Sequence, residues 1–303
     1  MNTVVSYGEI GVDNIILVPH LPSPEKAAFP TSDTYHIGGA AANYAVLLAS
    51  WDVAVGLTGN SIGQDDLGKY LLGEMRCFKK LDLYHLKVNH SQPSPFCRIL
   101  VTPNGERSIM VFGYPTTPKT LMTTEMLKGV RFLALDLYGC EERVDAAKMA
   151  HAMGVKTIVN DLISLNHPIL HYSDIIVNSS AYIRSEYPGV NVVDHAIALH
   201  QKYGATVITT NGGENVHAVD QSGNQFVFNP PAVEAVDATG AGDAFRAGLT
   251  YGLIQGWGWK RSVQMAIATG SLKVSRVGAV ATPPTLDEVL RFSERIFPDF
   301  KDN

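Results

Sequence analysis

Short runs rich in β-branched and aliphatic residues, at 3–7, 53–57, 130–135, 157–160, 175–177 and 206–210, alternate with segments of helical apolar spacing at 40–50, 65–75, 142–153 and 193–203. That alternation restricts the fold more than any other feature of the chain. Apolar runs this continuous suit strands buried on both faces. A strand–helix–strand order lays successive strands parallel and packs the helices on the two sides of the sheet. The expected class is α/β, with a mostly parallel central sheet flanked by helices.

Two regions depart from the alternation. Residues 15–18, 35–37, 96–101 and 108–112 are strand-like but are joined through Pro, Ser, Asn and Gly without helices, as in antiparallel hairpins. They predict a small β-sheet projecting from the main body as a lid, its strands drawn from about 14–37 and 96–113. Beyond Asp237 the chain reads as helix at 241–255, 259–277 and 285–296. The last of these opens with Thr285 and Glu288 spaced for a capping box. No repeat, low-complexity tract or linker divides residues 1–303, so a single domain carrying the lid is expected.

Charge narrows the function. Lys and Arg total 24 against 29 Asp and Glu, a net charge of -5 without a like-charged block, which argues against nucleic acid as a partner. The start of the chain lacks a basic segment followed by an apolar one, and no apolar run is long enough to span a bilayer. No membrane association is expected, and the location expected is cytoplasmic. Cys77, Cys97 and Cys140 are odd in number and widely spaced, the pattern of buried free thiols and not of a disulfide or zinc framework.

The chemistry is concentrated in Asp237-Ala-Thr239-Gly240-Ala241-Gly242-Asp243, a glycine-rich turn that runs directly into an apolar-periodic helix. Backbone N–H groups at a helix N-terminus, unobstructed by side chains, form a site for phosphate or for a developing negative charge. Asp243, inside the first turn, is stabilised by the helix dipole and could cap free N–H groups there. The segment is not a Walker A loop, since no Lys-Ser or Lys-Thr follows the glycines. Nor is it a dinucleotide fingerprint, because Phe245 stands where the third glycine belongs.

This turn resembles the C-terminal signature of the ribokinase-like (PfkB) family of carbohydrate and nucleoside kinases, and Gly38-Gly39-Ala-Ala-Ala-Asn43 resembles the family's N-terminal Gly-Gly signature. The likeness extends to Gly8-Glu-Ile-Gly-Val-Asp13 after the first strand and Thr210-Asn-Gly212 after a late one. The resemblance implies an ATP- and Mg²⁺-dependent phosphotransferase acting on a primary hydroxyl of a small sugar or a ribonucleoside. It implies that Asp243 is the base, with Gly240, Ala241 and Gly242 holding the transferring phosphoryl group. Asp13, Gly38, Gly39 and Asn43 would bind the acceptor. Asn178, Thr210, Gly212, Asn215 and Ile267 would line the ATP site. A K⁺ ion is implied beside Asp237, Thr239, Lys273, Arg276, Gly278 and Thr282, where the Lys side chain could stand in for the ion.

Two positions depart from the family pattern. Asn178-Ser-Ser-Ala181 carries alanine where the family has a Glu that organises the magnesium water shell, which shifts that task to phosphates, water or a carboxylate such as Asp161. Ile267 stands where Asn or His is common near the adenine. Arg246 resembles some nucleoside kinases of the family. His167 and His171 read as loop histidines, since Pro168 opposes a helix that would present both to one metal. Trp257-Gly-Trp259 reads as a helix–helix turn. Because Ala181 replaces the Glu, the alternative function is a catalytically inactive sugar- or nucleotide-binding sensor or assembly protein. Open lid edges further predict a homodimer through the lid.

Overall fold

The computed structural model describes residues 1–105, 107–136, 141–161 and 164–301. Cys140 lies outside them. The chain opens with β1 (Val4–Gly8), which passes without a helix into β2 (Gly11–Leu17) and β3 (Ser32–Gly38), then enters α1 (Ala40–Ser50) and β4 (Val55–Gly59). Next come β5 (Ile62–Gly63), α2 (Asp66–Met75), β6 (Leu81–Asp82), β7 (Val88–Asn89), β8 (Phe96–Val101) and β9 (Arg107–Phe112). The middle third is β10 (Phe132–Leu135), α3 (Glu141–Ala152), β11 (Lys156–Asn160), β12 (Ile175–Ser179), α4 (Ser180–Glu186), α5 (Val192–Tyr203) and β13 (Thr206–Thr210). The chain closes with β14 (Val216–Val219), β15 (Gln225–Phe228), α6 (Ala241–Ile254), α7 (Trp259–Val274) and α8 (Leu286–Ile296).

The larger sheet runs β15-β14-β13-β12-β11-β10-β1-β4-β6. Its strands from β13 to β6 are parallel, and β14 and β15 add an antiparallel edge. Successive side chains of a strand point to opposite faces, and the core divides accordingly. Val4, Ala134, Ile158, Val177 and Ile208 pack with α1, α6, α7 and α8. Val5, Leu133, Val159, Ile176 and Val207 pack with α3 and α5. The result is three layers, the α/β class the alternation predicts. Helix ends follow local chemistry. Asn191 caps α5 by accepting from Val193 N at 2.9 Å, and Gly204 ends it in the left-handed region at φ 71°. Thr285 and Glu288 form the expected capping box on α8.

The smaller sheet, in the order β3-β2-β8-β9, contains the predicted lid segments but not as hairpins throughout. The pairs β2–β3 and β8–β9 are antiparallel, whereas the central pair β2–β8 is parallel. Turn residues specify pairing only between sequence neighbours, and β2 and β8 are not neighbours. The β14–β15 hairpin is also absent from the strand pattern of the sequence. His217 and Gln225 dilute its hydrophobic signal, and its turn is built by Asp220, whose carboxylate accepts from Ser222 N and Asn224 N. Of the thiols, Cys77 is exposed and Cys97 partly buried, so burial does not hold for Cys77. Among the described residues no helix is long and apolar enough to cross a membrane.

Candidate active site

Strand order reverses at β1. The chain steps from β1 outward to β4, and later returns to β10 on the other side. Open α/β sheets bind ligands outside the carboxyl ends of their strands at such a switch point. The end of β1 leads through Glu9 into β2 and the smaller sheet, and it is here that α1 and α6 bring their N-termini together.

The glycine turn is shaped by its neighbours. Gly240 caps α6 at φ 73°, and a Cβ there would lie 2.5 Å from the Ala279 Cβ, so only glycine fits. A Cβ on Gly242 would meet nothing within 4 Å, so its missing side chain serves the open space over the first α6 amides and not packing. Asp237 ties the turn down from below. Its carboxylate accepts from Thr239 N and from Gly278 N, both at 2.8 Å.

Asp243 does not cap the helix. Its two oxygens accept from Arg246 Nη2 at 2.7 Å and from Asn43 Nδ2 at 3.1 Å. Burial raises the Asp243 pKa, while the Arg246 charge and the two donated hydrogen bonds oppose the rise. Arg246 is itself 2% exposed and lies over the Tyr44 ring, 5.4 Å from its centroid. Asn43 Oδ1 is buried with no hydrogen-bond partner among the described residues, an acceptor available to a hydroxyl.

Asp13, from β2, is 4% exposed and accepts no hydrogen bond among the described residues. Burial, reinforced by the charges of Asp243 and Asp237, pushes its pKa up to about 7. Gly38 makes room for it, since a Cβ there would sit 2.3 Å from the Asp13 Cγ. Gly39 then caps α1, and Ala41 N donates to Glu9 O at 3.1 Å. Asp13, Gly38, Gly39 and Asn43, from the first forty-three residues, thus converge on the C-terminal turn.

On the neighbouring strands Asn178 lies buried in the penultimate position of β12, and the Thr210 hydroxyl at the end of β13 donates to its carbonyl at 3.3 Å. Gly212 turns the chain at φ 58°, and Asn215 is exposed. Ile267 is 2% exposed within the larger core, so any influence it has on a base is exerted through packing. Ala181 lies exposed in α4.

The family model described as "pfkB family carbohydrate kinase" matches residues 1–286. The chain belongs to the pfkB family of carbohydrate kinases. Ribokinase of Haemophilus influenzae is 26% identical over 310 residues, covering 96% of this chain and 98% of that one. Arabidopsis thaliana ribokinase complexed with ribose and ATP superposes with a TM-score of 0.81 at 21% identity, over 97% of this chain and 99% of that one. The Burkholderia thailandensis nucleoside kinase in complex with inosine gives 0.76 at 20% identity, over 97% of both chains.

Several charged residues around the glycine turn and the neighbouring strand ends have no motif to announce them. Arg246 follows Asp243 at i+3 on a helix, and that spacing alone would have paired them. Arg184 of α4 donates to Asn211 Oδ1 at 3.2 Å, bringing a cation to the turn after β13. At the switch point Asp136 and Arg143 form an ion pair with side chains 0% and 1% exposed, and Asp136 also accepts from Glu9 N. Glu9 is pushed to about 7, by burial first and then by the Asp136 charge. His167 and His171 do not form a metal site. His167 Nδ1 accepts from Ile169 N, and His171 packs edge-on against Tyr203. Trp257 packs between Tyr251 and Phe300 at the α6–α7 turn, as its sequence position suggests.

The implied K⁺ site is a different matter. Lys273 is 1% exposed, and its Nζ donates to Asp237 O at 2.7 Å and to Arg276 O at 3.1 Å, with Asp237 Oδ2 at 3.9 Å. Arg276 Nη1 donates to Thr282 O at 3.3 Å. Three of the six positions the resemblance assigns to the ion, 237, 276 and 282, have their carbonyls engaged by side-chain cations. A bound K⁺ does not fit this donor set. Burial lowers the Lys273 pKa to about 8 against the pull of Asp237.

Proposed function

We propose that this kinase transfers the γ-phosphoryl group of ATP to a primary hydroxyl of a small sugar or of a ribonucleoside, with Asp243 as the base. The observation that carries the reading is the 3.1 Å hydrogen bond from Asn43 to Asp243, which joins the N-terminal acceptor signature to the glycine turn. An acceptor held by Asp13 and by the free Asn43 Oδ1 would present its hydroxyl to a carboxylate already oriented by Arg246. The proton leaves the hydroxyl for Asp243 as the oxygen attacks the γ-phosphorus, and the bond from that phosphorus to the β–γ bridging oxygen breaks to release ADP. Charge on the equatorial oxygens would meet the α6 N–H group of Gly242 and the helix dipole, with Ala241 N, which donates to Ala238 O at 3.2 Å, holding the turn in shape.

The ATP site is read as Asn178, Thr210, Gly212 and Asn215, with Arg184 nearby and Ile267 behind the base. For Mg²⁺ the donor set is consistent with a hard cation. Asp161 follows β11 at φ 52°, and the neighbouring Asn160 Oδ1 is buried with no partner among the described residues. Asp161 would hold the ion together with ATP phosphates in place of the missing Glu at Ala181. Mg²⁺ would supply neutralisation of phosphate charge. Exposed apolar residues along β9, Ile109, Met110, Val111 and Phe112, support pairing of the lid with a second copy. A monomeric mass at micromolar concentration would count against that homodimer. The exposed Cys77 thiol is in keeping with a reducing, cytoplasmic setting.

The test is ADP release from Mg·ATP against ribose, fructose, 2-keto-3-deoxygluconate, adenosine, inosine, cytidine and pseudouridine. Asp243→Asn should lower turnover of any responding substrate by about 10²–10⁴-fold while the circular dichroism is unchanged. A variant with near-normal turnover refutes Asp243 as the base. Ligand binding with no product from any substrate favours the inactive sensor.

A further inference from the structure

The Lys273 ammonium is a buried cation, 1% exposed, that the reaction scheme above does not use. It sits in the last turn of α7, and its contacts are to the loops on either side of the glycine turn. It donates to the Asp237 carbonyl at the start of that turn and to the Arg276 carbonyl at the start of the following loop. Asp237 relays this link in both directions, since its carboxylate accepts from Thr239 N within the turn and from Gly278 N in the loop. Val236 N and Asp237 N both donate to Val274 O, one residue after Lys273. The segment that presents Gly240, Ala241 and Gly242 is therefore fastened at its base by one ammonium group.

We infer that Lys273 acts as a tethered monovalent cation that positions the glycine turn, so that phosphoryl transfer in this kinase is independent of K⁺. A compact ammonium and a potassium ion both seek several carbonyl oxygens and carry the same charge. The ammonium on its stem needs no free ion from solution, and being covalently held it loses no translational freedom on entering the site. Lys273 is a positioning residue, because it reaches the reacting phosphoryl group only through the Asp237–Gly240 backbone. Arg276 keeps the outer side closed by its bonds to the Thr282 carbonyl and to Glu288.

The inference rests on the phosphotransferase reading, and the experiment separates the two. Wild-type enzyme is assayed in choline chloride and in KCl, each at about 100 mM so that screening is matched. The rates should agree within about twofold, a barrier difference well under that of a tenfold change. Lys273→Ala opens a carbonyl-lined cavity of about ammonium size. In choline it should lose at least about tenfold in kcat with little change in the KM for ATP, and KCl should restore much of the loss. Independently of activity, KCl should raise the melting temperature of Lys273→Ala and leave that of the wild type unmoved. Wild-type activity that needs K⁺, or a Lys273→Ala variant with full activity and full stability in choline, overturns the inference. If Lys273→Ala does not fold, the wild-type comparison decides. If no substrate of the panel reacts, the proposed function fails, while the ion-dependent melting temperature still decides the role of Lys273.

Discussion

Replacing Asp13 by Asn should make the protein more stable and less active, and the stability gain should depend on pH in a defined way. Asp13 is 4% exposed, has no hydrogen-bond donor among the described residues, and faces the charges of Asp243 and Asp237. Its pKa rises from 3.8 to about 7. A carboxyl whose folded-state pKa is raised binds its proton more tightly folded than unfolded. Its stabilising contribution is complete below the unfolded value and is lost as pH climbs from there through the folded one. At about 1.36 kcal/mol per pH unit, ionised Asp13 costs the fold up to about 4 kcal/mol above pH 7. Asn copies the neutral carboxyl in size and never pays that cost. The difference in melting temperature between Asp13→Asn and wild type should be near zero at about pH 4, grow through the range to about pH 7, and level off at several degrees, given about 2 °C per kcal/mol in a chain this long. Calorimetry in ligand-free buffers from acid to mildly alkaline pH measures it. A difference constant with pH, or a variant less stable than wild type at pH 8, would refute the account of Asp13. In the same variant kcat/KM for the responding acceptor should fall by about 10²-fold or more, since a site built to accept two hydroxyl hydrogen bonds loses one acceptor.

Arg246→Met removes the main opposition to burial at Asp243, so its pKa should rise further. The acid limb of the kcat/KM profile should then move to higher pH, and a limb that stays in place would separate Arg246 from the base. Gly240→Ala forces a Cβ to within 2.5 Å of Ala279 at a left-handed φ, and should cost about 1–3 kcal/mol of stability with a kcat loss larger than any change in KM, read by urea unfolding and initial rates. Arg143→Met leaves Asp136 buried and unpaired, and should destabilise the fold by about 3–5 kcal/mol, measured by the same unfolding assay. A change under about 1 kcal/mol would show that the pair is not desolvated as the structure has it.

The layered α/β class was legible because most of the parallel strands are short runs rich in β-branched and aliphatic residues that alternate with segments of helical spacing, whereas the two-residue β6, Leu81–Asp82, carries no such signal. The glycine turn was legible because an anion-binding helix start needs small residues in sequence. The strand register was not. Nothing local to Gly11–Leu17 states that its neighbour is Phe96–Val101 in parallel, because turn chemistry speaks only for adjacent segments. The same limit applies within the site. Asn43 and Asp243 are 200 residues apart, and their hydrogen bond is a product of α1 and α6 packing on one face of the sheet. For Lys273 the sequence left open whether its side chain lines an ion site or stands in for the ion, and the structure places its ammonium among the carbonyls. A sequence gives the residue at a position, and so the reach of its side chain, but not the direction in which a buried side chain points.

The distribution of charge around the cleft ties these features together. A site that must receive ATP, a polyanion, gathers Asp13, Asp136, Asp161, Asp237 and Asp243, which by Coulomb repulsion alone would reject it. Three of these are tied to cations of this chain: Asp243 to Arg246, Asp237 to Lys273 and Asp136 to Arg143. Asp243 and Arg246 share α6, and the other two pairs join neighbouring segments of the fold, so the neutralisation is present without substrate. Asp13 and Asp161 have no such partner among the described residues. For Asp13 the proton does the work, through a pKa near 7 that lets acceptor hydroxyls or pH set its charge. For Asp161 the remaining candidate is the divalent ion that accompanies ATP. Its substitution by Asn should therefore raise the Mg²⁺ concentration needed for half-maximal turnover without moving the half-saturating acceptor concentration. Equal shifts in both would mean that Asp161 shapes the loop and not the metal.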